Sequence, residues 1–159
     1  MKRTYTYQVN GLDTTAVYDD NTVEQIFIPL LKKWSTLHQQ MKRRILIFLS
    51  APPGVGKTTT AQFLEYLSKE WKEVEEIQAV GLDGFHYHQE YILSHDIEVD
   101  GCKVPMKDVK GCPETFDIKK LKEKIGCLKK GDTKWPVYDR KIHDVRENAV
   151  DVKKEIVLI

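Results

Sequence analysis

Nowhere in this sequence does an apolar run approach the roughly 18 residues that a membrane-spanning helix requires. The opening residues, Met1-Lys2-Arg3-Thr4-Tyr5, lack the apolar stretch of a secretory signal. Both absences point to a cytoplasmic protein with no membrane partner. Cysteine is scarce, with only Cys102, Cys112 and Cys127. Their odd number, wide spacing and lack of any CxxC pair argue against a disulfide framework and against a zinc site. Reduced thiols acting as small hydrophobes remain. An excess of one charge is missing too: 25 basic residues stand against 24 acidic ones, a formal net charge of +1. Nucleic-acid binding calls for a basic excess, so no nucleic-acid partner is expected. Lys119-Lys120 and Lys129-Lys130 read as solvated helix faces. Internal repeats and low-complexity segments are absent.

What is present is the balance of a soluble globular chain, with 41% apolar and 31% charged residues among 159. Residues 4 to 18 alternate around Asn10-Gly11, a strong hairpin signal. Asp19-Asp20-Asn21-Thr22 reads as a helix start, with Thr22 and Gln25 at capping-box spacing, and Val23, Ile26, Phe27, Leu30, Leu31, Trp34 and Leu37 follow at helical spacing. Pro29 is expected to kink that helix or delay its start. Ile45-Leu46-Ile47-Phe48-Leu49 reads as a strand buried on both faces, the mark of a parallel sheet. An amphipathic helix over Thr58 to Trp71 and a second strand over Ile77 to Leu82 come next. Residues 84 to 116 read as loops with short helical pieces. Asp117 is placed to cap a helix over Ile118 to Leu128, and Pro136 to Asp139 reads as a short extended stretch or loop. Glu155 to Ile159 reads as a third buried strand. The order predicts an α/β fold with a mostly parallel sheet flanked by helices. Residues 1–41 are expected to form a hairpin-and-helix extension and residues 42–159 the main α/β domain. The chain is expected to be cut within its third core strand.

The loop Ala51-Pro52-Pro53-Gly54-Val55-Gly56-Lys57-Thr58 lies between the first strand and its helix. It matches the phosphate-binding pattern G-x-x-x-x-G-K-[ST], with Ala51 in the first glycine's place. Successive backbone N–H groups in such a loop form an anion-binding nest, and the following helix N-terminus adds its dipole. Pro53, Gly54, Val55, Gly56, Lys57, Thr58 and Thr59 are therefore the expected nucleotide contacts. Lys57 would reach the β- and γ-phosphates, the Thr58 hydroxyl would ligate Mg²⁺, and Thr59 could bond the α-phosphate. Asp83 ends the second strand, where ligands of α/β sheets bind, although Asp-Gly is equally a turn signal.

Three later stretches follow the loop in order: Val80-Gly81-Leu82-Asp83-Gly84-Phe85-His86, Gly111-Cys112-Pro113-Glu114-Thr115-Phe116-Asp117 and Trp135-Pro136-Val137-Tyr138-Asp139-Arg140. With the loop, they resemble the bacterial nucleoside/nucleotide kinase-like family, in its fructose-transport-system kinase branch. That family belongs with uridine kinase, pantothenate kinase and phosphoribulokinase. The resemblance covers about residues 45 to 159 and implies a P-loop NTPase-type fold, with residues 42–159 as the N-terminal part of a P-loop kinase domain. It implies ATP-dependent phosphorylation of a hydroxyl on a small-molecule substrate, with Asp83 as general base and Lys57 as its catalytic partner. It also implies His86, Tyr87, Glu114, Tyr138, Asp139, Arg140 and His143 on the substrate side. Tyr138 to His143 resembles the uridine kinase run Y-D-x-x-x-H, but the arginine expected two residues later is Val145 here and the arginine is Arg146. The acidic Walker-B-like residue and the lid arginines of the family would lie beyond Ile159. A chain complete as it stands is expected to be a weak kinase or none. The alternative reading is a nucleotide-driven regulator without an acceptor.

Overall fold

The computed structural model describes residues 2–9, 12–99 and 101–159. In chain order the main elements are β1 (Lys2–Val9), β2 (Leu12–Asp19), α1 (Asp20–Thr22), α2 (Ile28–Met41), β3 (Ile45–Ile47), α3 (Lys57–Glu70) and β4 (Ile77–Ala79). They continue as α4 (Gln89–Ser94), β5 (Asp96–Val99), β6 (Cys102–Pro105), α5 (Ile118–Leu128), β7 (Thr133–Asp139), β8 (Asp144–Val152) and β9 (Ile156–Leu158). The chain divides into two compact units, one running to Val80 together with Lys153–Ile159, the other Gly81–Val152. Among the described residues no helix is long and apolar enough to cross a membrane.

The first unit is a three-stranded parallel sheet in the order β3-β9-β4. Ile156 pairs with both Ile45 and Ile77, so the last strand is the central one. Its residues Ile156, Val157 and Leu158 are buried, as the apolar runs predict for a parallel strand covered on both faces. Helices α2 and α3 pack on this sheet and supply Leu31, Trp34, Phe63, Leu64 and Leu67 to its core. The β1–β2 pairing is antiparallel, and the expected Asn10-Gly11 turn lies outside the described residues. Phe63, fully buried on α3, gathers the hairpin's aromatic rings. Tyr18 stacks on it at 4.2 Å and Tyr5 meets it edge-on at 4.7 Å.

The helical region after β2 starts within the expected stretch Asp19-Asp20-Asn21-Thr22. Asp19, not Thr22, is the cap, accepting a bond from the Asn21 N–H at 2.9 Å, and Thr22 is already helical. Pro29 marks a delayed start of the regular α-helix, one of the two expected outcomes. It sits in the first turn of α2, behind a π-helical turn over Val23–Phe27, and the Ile28 N–H reaches back to the Val23 carbonyl. Pro29 has no N–H for the carbonyl four residues back, and its ring would clash there. A widened turn accommodates both facts.

The second unit is built from two antiparallel pairs, β5–β6 and β7–β8, with α4 and α5. Three strands were not legible as such: β5 and β6 fall in the expected loop region, and β8 gave no reading. Asp117 caps α5 as expected, its Oδ1 accepting from the Lys120 N–H at 2.9 Å. The fixed point of this unit is Gly84. A Cβ placed there would lie 2.2 Å from the Pro136 carbonyl oxygen, so the β7 backbone crosses where any side chain would stand. Pro136 itself sits at a register shift of the β7–β8 ladder, where its missing N–H costs no bond. Trp135 is fully buried beside it, donating through Nε1 to the Gly81 carbonyl at 2.9 Å and meeting Phe85 edge-on at 4.8 Å.

Truncating the Phe63 ring to alanine is expected to cost about 3–5 kcal/mol of unfolding free energy, measured by urea titration. Gly84→Ala is expected to destabilise by about 1–3 kcal/mol or more, because a backbone carbonyl cannot swing aside as a side chain would. A near-neutral Gly84→Ala would show that β7 does not lie this close.

Candidate functional site

The first unit holds the phosphate loop between β3 and α3. Gly54 and Gly56 adopt φ of +80° and +88°, a left-handed backbone that suits glycine and turns the chain into the helix. Nothing lies within 4 Å of a Cβ placed at either glycine, so conformation rather than crowding calls for glycine here. Gly56 is the N-cap of α3, and the first intrahelical bond of the ladder runs from the Thr60 N–H to the Gly56 carbonyl at 2.9 Å. The N–H groups of Lys57, Thr58 and Thr59 precede that bond and belong to the free end of the helix. Pro53, Val55 and Thr58 are exposed, and Thr59 is half-buried. The Lys57 ammonium lies back along the loop, donating to the carbonyls of Ala51 at 2.7 Å and Pro52 at 3.0 Å. The buried Tyr7 hydroxyl donates to the Thr59 carbonyl at 3.0 Å, tying the hairpin to the first turn of the phosphate-loop helix. Burial, helped by the nearby Tyr18, pushes the Tyr7 phenol up.

The second unit holds a cavity of about 430 Å³. Five of the residues singled out in the sequence line it: Asp83, His86, Tyr138, Arg140 and His143. Asp83 opens a 3₁₀ turn over Asp83–Phe85, pinned by the buried Gly84 behind it. Tyr138 comes from β7, and Arg140 and His143 from the turn that follows. His143 holds a left-handed φ of +53°, an uncommon conformation for a side chain that faces a cavity. Gln89 and Lys110 complete the wall. No motif named them, because they enter through α4 and the segment after a 3₁₀ turn over Met106–Val109. Lys110 Nζ donates to Gln89 Oε1 at 2.9 Å and to the Tyr138 hydroxyl at 2.8 Å.

His86 lies flat on Phe116 with ring centroids 3.8 Å apart. Its Nδ1 is 3.2 Å from the Thr115 carbonyl and 3.2 Å from the Thr115 hydroxyl. That hydroxyl donates to the Cys112 carbonyl at 2.7 Å, so Nδ1–H is the donor to Thr115 and Nε2 keeps its lone pair. Burial lowers the His86 pKa and the Lys110 cation acts the same way, against the Thr115 carbonyl and the Asp83 carboxylate.

The remaining candidates have other surroundings. Tyr87 packs on Tyr91 at 4.6 Å, and burial, with Asp117 and Tyr91 nearby, pushes its phenol up. Glu114 is exposed in the turn over Pro113–Thr115. Asp139 pairs with Arg146 at 2.9 Å and accepts from the Lys141 N–H at 2.8 Å, closing the β7–β8 turn. Asp144 is a residue that no motif signalled. It accepts from the N–H groups of Gln89 at 2.9 Å and Val145 at 2.7 Å, and so anchors the start of α4. Burial pushes the Asp144 carboxyl up, but these two donors and His88 outweigh it and hold it below the usual carboxylate range.

A Mg²⁺ ion can be tested against this chemistry. Among the described residues, no group of three or more His, Cys, Asp or Glu side chains could hold a metal ion by itself. A Mg²⁺ that keeps its waters and bridges nucleotide phosphates needs only one or two protein oxygens. The exposed Thr58 hydroxyl at the phosphate-loop helix suits that role.

No family model matches the chain. It is 38% identical over 152 residues to the uncharacterized protein YggC of Escherichia coli (strain K12), an alignment covering 95% of this chain and 60% of that one. It is 29% identical to a pantothenate kinase of Halalkalibacterium halodurans, over 85% of this chain and 46% of that one. Among solved structures it matches one described as a "putative fructose transport system kinase" from Silicibacter sp. TM1040. The TM-score is 0.58 at 25% identity, covering 79% of this chain and 61% of that one. The chain thus spans 60% or less of the length of these curated relatives. Its parallel sheet, its loop from β3 into α3 and these likenesses together support a P-loop kinase-like family for the chain.

Proposed function

We propose that the protein is an ATP-dependent kinase that phosphorylates a hydroxyl of a small metabolite. The observation that carries this reading is a carboxylate, Asp83, set in the wall of a polar cavity and held by the close Gly84–Pro136 contact. The phosphate loop and the kinase relatives support the same reading from the nucleotide side.

In this reading the N–H groups from Gly54 to Thr59 hold the triphosphate, and Lys57 exchanges its loop carbonyls for phosphate oxygens. The Thr58 hydroxyl would hold Mg²⁺, which would supply neutralisation of phosphate charge. Asp83 takes the proton of the acceptor hydroxyl. The hydroxyl oxygen forms a bond to the γ-phosphorus as the bond to the β–γ bridging oxygen breaks, and ADP carries away the electron pair. The protein's part is positioning and charge stabilisation. His86, kept neutral by burial, offers Nε2 as an acceptor for a substrate hydroxyl. Tyr138, Arg140 and His143 contact the same substrate. Tyr87, Glu114 and Asp139 remain assigned to the substrate side through the family resemblance.

Asp83→Asn in the full-length protein is expected to lower kcat by about 10²–10⁴ and leave the Kd for ATP nearly unchanged. Acceptors are found by measuring ADP release against sugars, nucleosides and pantothenate-like alcohols. Transfer near the wild-type rate by Asp83→Asn would remove the base assignment.

His86 also predicts a pH effect on stability. Its folded pKa lies below the ordinary imidazole value of about 6.5, so the unfolded chain binds the proton more readily. Its contribution is present above pH ~6.5 and is lost as pH falls below that value. Urea titrations between pH 7.5 and 5.5 are expected to show that decline, and His86→Gln is expected to flatten it.

A further inference from the structure

We infer that the first unit carries a second ligand site, for a small organic cation: an ammonium group on an apolar body. The inference goes beyond the kinase reading and does not depend on it. A cavity of about 180 Å³ lies between the β1–β2 hairpin, the π-helical turn and the C-terminal end of α3. Three aromatic rings line it: Tyr5 from β1, Tyr66 from α3 and Trp71 just past that helix. The buried chains of Val23 and Ile28 add aliphatic surface. Tyr5 and Tyr66 meet edge to face with centroids 6.4 Å apart. Trp71 is 37% exposed, and its side chain donates to Glu73, which pairs with Lys32 at 2.7 Å. The indole is thus held in place without being packed into the core. The volume falls below the roughly 300–1,000 Å³ of sites that enclose whole drug-sized ligands, so a small amine suits it.

The charge around these rings is one-sided. One guanidinium, Arg3, stands against three carboxylates, Asp20, Glu24 and Glu70. Arg3 is taken up by Asp20 at 2.7 Å. Among the described residues neither Glu24 nor Glu70 forms an ion pair. Lys69, next to Glu70 in the chain, turns back to Glu65 at 2.7 Å. Helix α3 ends at Glu70, and the free carbonyls of its last turn add the negative end of the helix dipole. An anion is repelled by this surround. A metal ion of the Mg²⁺ or Ca²⁺ kind needs a shell of oxygens, and here it would meet rings and aliphatic chains. An organic ammonium matches both features. Ring faces attract its charge, the two exposed carboxylates neutralise it, and its carbon atoms leave water against the apolar lining. The site lies at the far end of α3 from the phosphate loop, about 20 Å away along a 14-residue helix, so a nucleotide does not compete for it.

The test titrates the full-length protein with choline and with butylammonium. Each is paired with a neutral compound of the same shape, 3,3-dimethylbutanol and butanol. Calorimetry gives the Kd values, and tryptophan fluorescence locates the ligand, because Trp34 and Trp135 are buried and Trp71 is not. In at least one pair the cation is expected to bind about tenfold or more tightly than its neutral counterpart and to change the fluorescence. Glu24→Gln combined with Glu70→Gln should weaken the cation about fivefold or more and leave the neutral compound unchanged. Trp71→Leu, which keeps an apolar side chain and removes the ring, should weaken the cation about twofold to fivefold. Added salt should weaken it in the wild type. Glu123→Gln, exposed on α5, should change nothing. Both glutamates are exposed, so the double variant is expected to fold even where Trp71→Leu does not, and thermal unfolding checks both. Absence of binding by both cations overturns the inference. Equal binding of cations and neutral compounds does the same, as does cation binding that the double variant leaves unchanged.

Discussion

Strands β3 and β4 do not bond to each other; each bonds to β9, and the first unit depends on that shared partner. The N–H of Val80 bonds to the Leu158 carbonyl at 2.9 Å, and the N–H of Leu49 to the Ile159 carbonyl at 2.8 Å. The same short segment therefore fixes the exit of β3, where the phosphate loop begins, and the exit of β4. Because β9 is buried on both faces, its hydrogen bonds form away from water, where leaving one unmade is costly. A loop that binds phosphate through backbone N–H groups needs such a frame, since its affinity comes from backbone direction and not from side chains that can adjust.

In the second unit the corresponding constraint is steric. Gly84 has no room for a side chain, so the turn carrying Asp83 and His86 and the strand carrying Tyr138 lie at a distance set by backbone contact. Trp135 and Phe85 fill the space around that contact. The part of the cavity wall carried by Asp83, His86 and Tyr138 thus comes from segments whose separation is set by backbone contact.

The two sites were legible to different degrees for a physical reason. A phosphate loop is local: eight consecutive residues, two of them glycines at positive φ, define it, and the apolar strand before it is visible in the same stretch. The cavity is not local. Asp83 was reachable from its place after the second strand, and Tyr138 and Arg140 only through the order of their motifs. Gln89 and Lys110 belong to segments with no periodicity and reach the cavity by tertiary folding. Asp144, which anchors Gln89, looked like one more charge in a polar stretch. The hairpin β5–β6 and the strand β8 were hidden because neither shows sustained apolar alternation. In β8, Val145, Val150 and Val152 are interrupted by Asn148 at a φ of +52°.

The displaced arginine of the Tyr138–His143 run can be understood from strand geometry. Side chains alternate along a strand, so moving a residue by one position changes the face it occupies. Val145 pairs with Tyr138 across the ladder and is buried, a position where an unpaired guanidinium would be costly. Arg146 falls on the other face and is held by Asp139. The run therefore cannot present its arginine as the uridine kinase pattern does, and that residue instead closes the β7–β8 turn. The cations left to the cavity are Arg140, in the turn itself, and Lys110, from a separate segment held by Gln89 and Tyr138. A one-residue shift in a strand thus removes one charge from the nucleoside-kinase pattern, and two charges of independent origin occupy the wall instead.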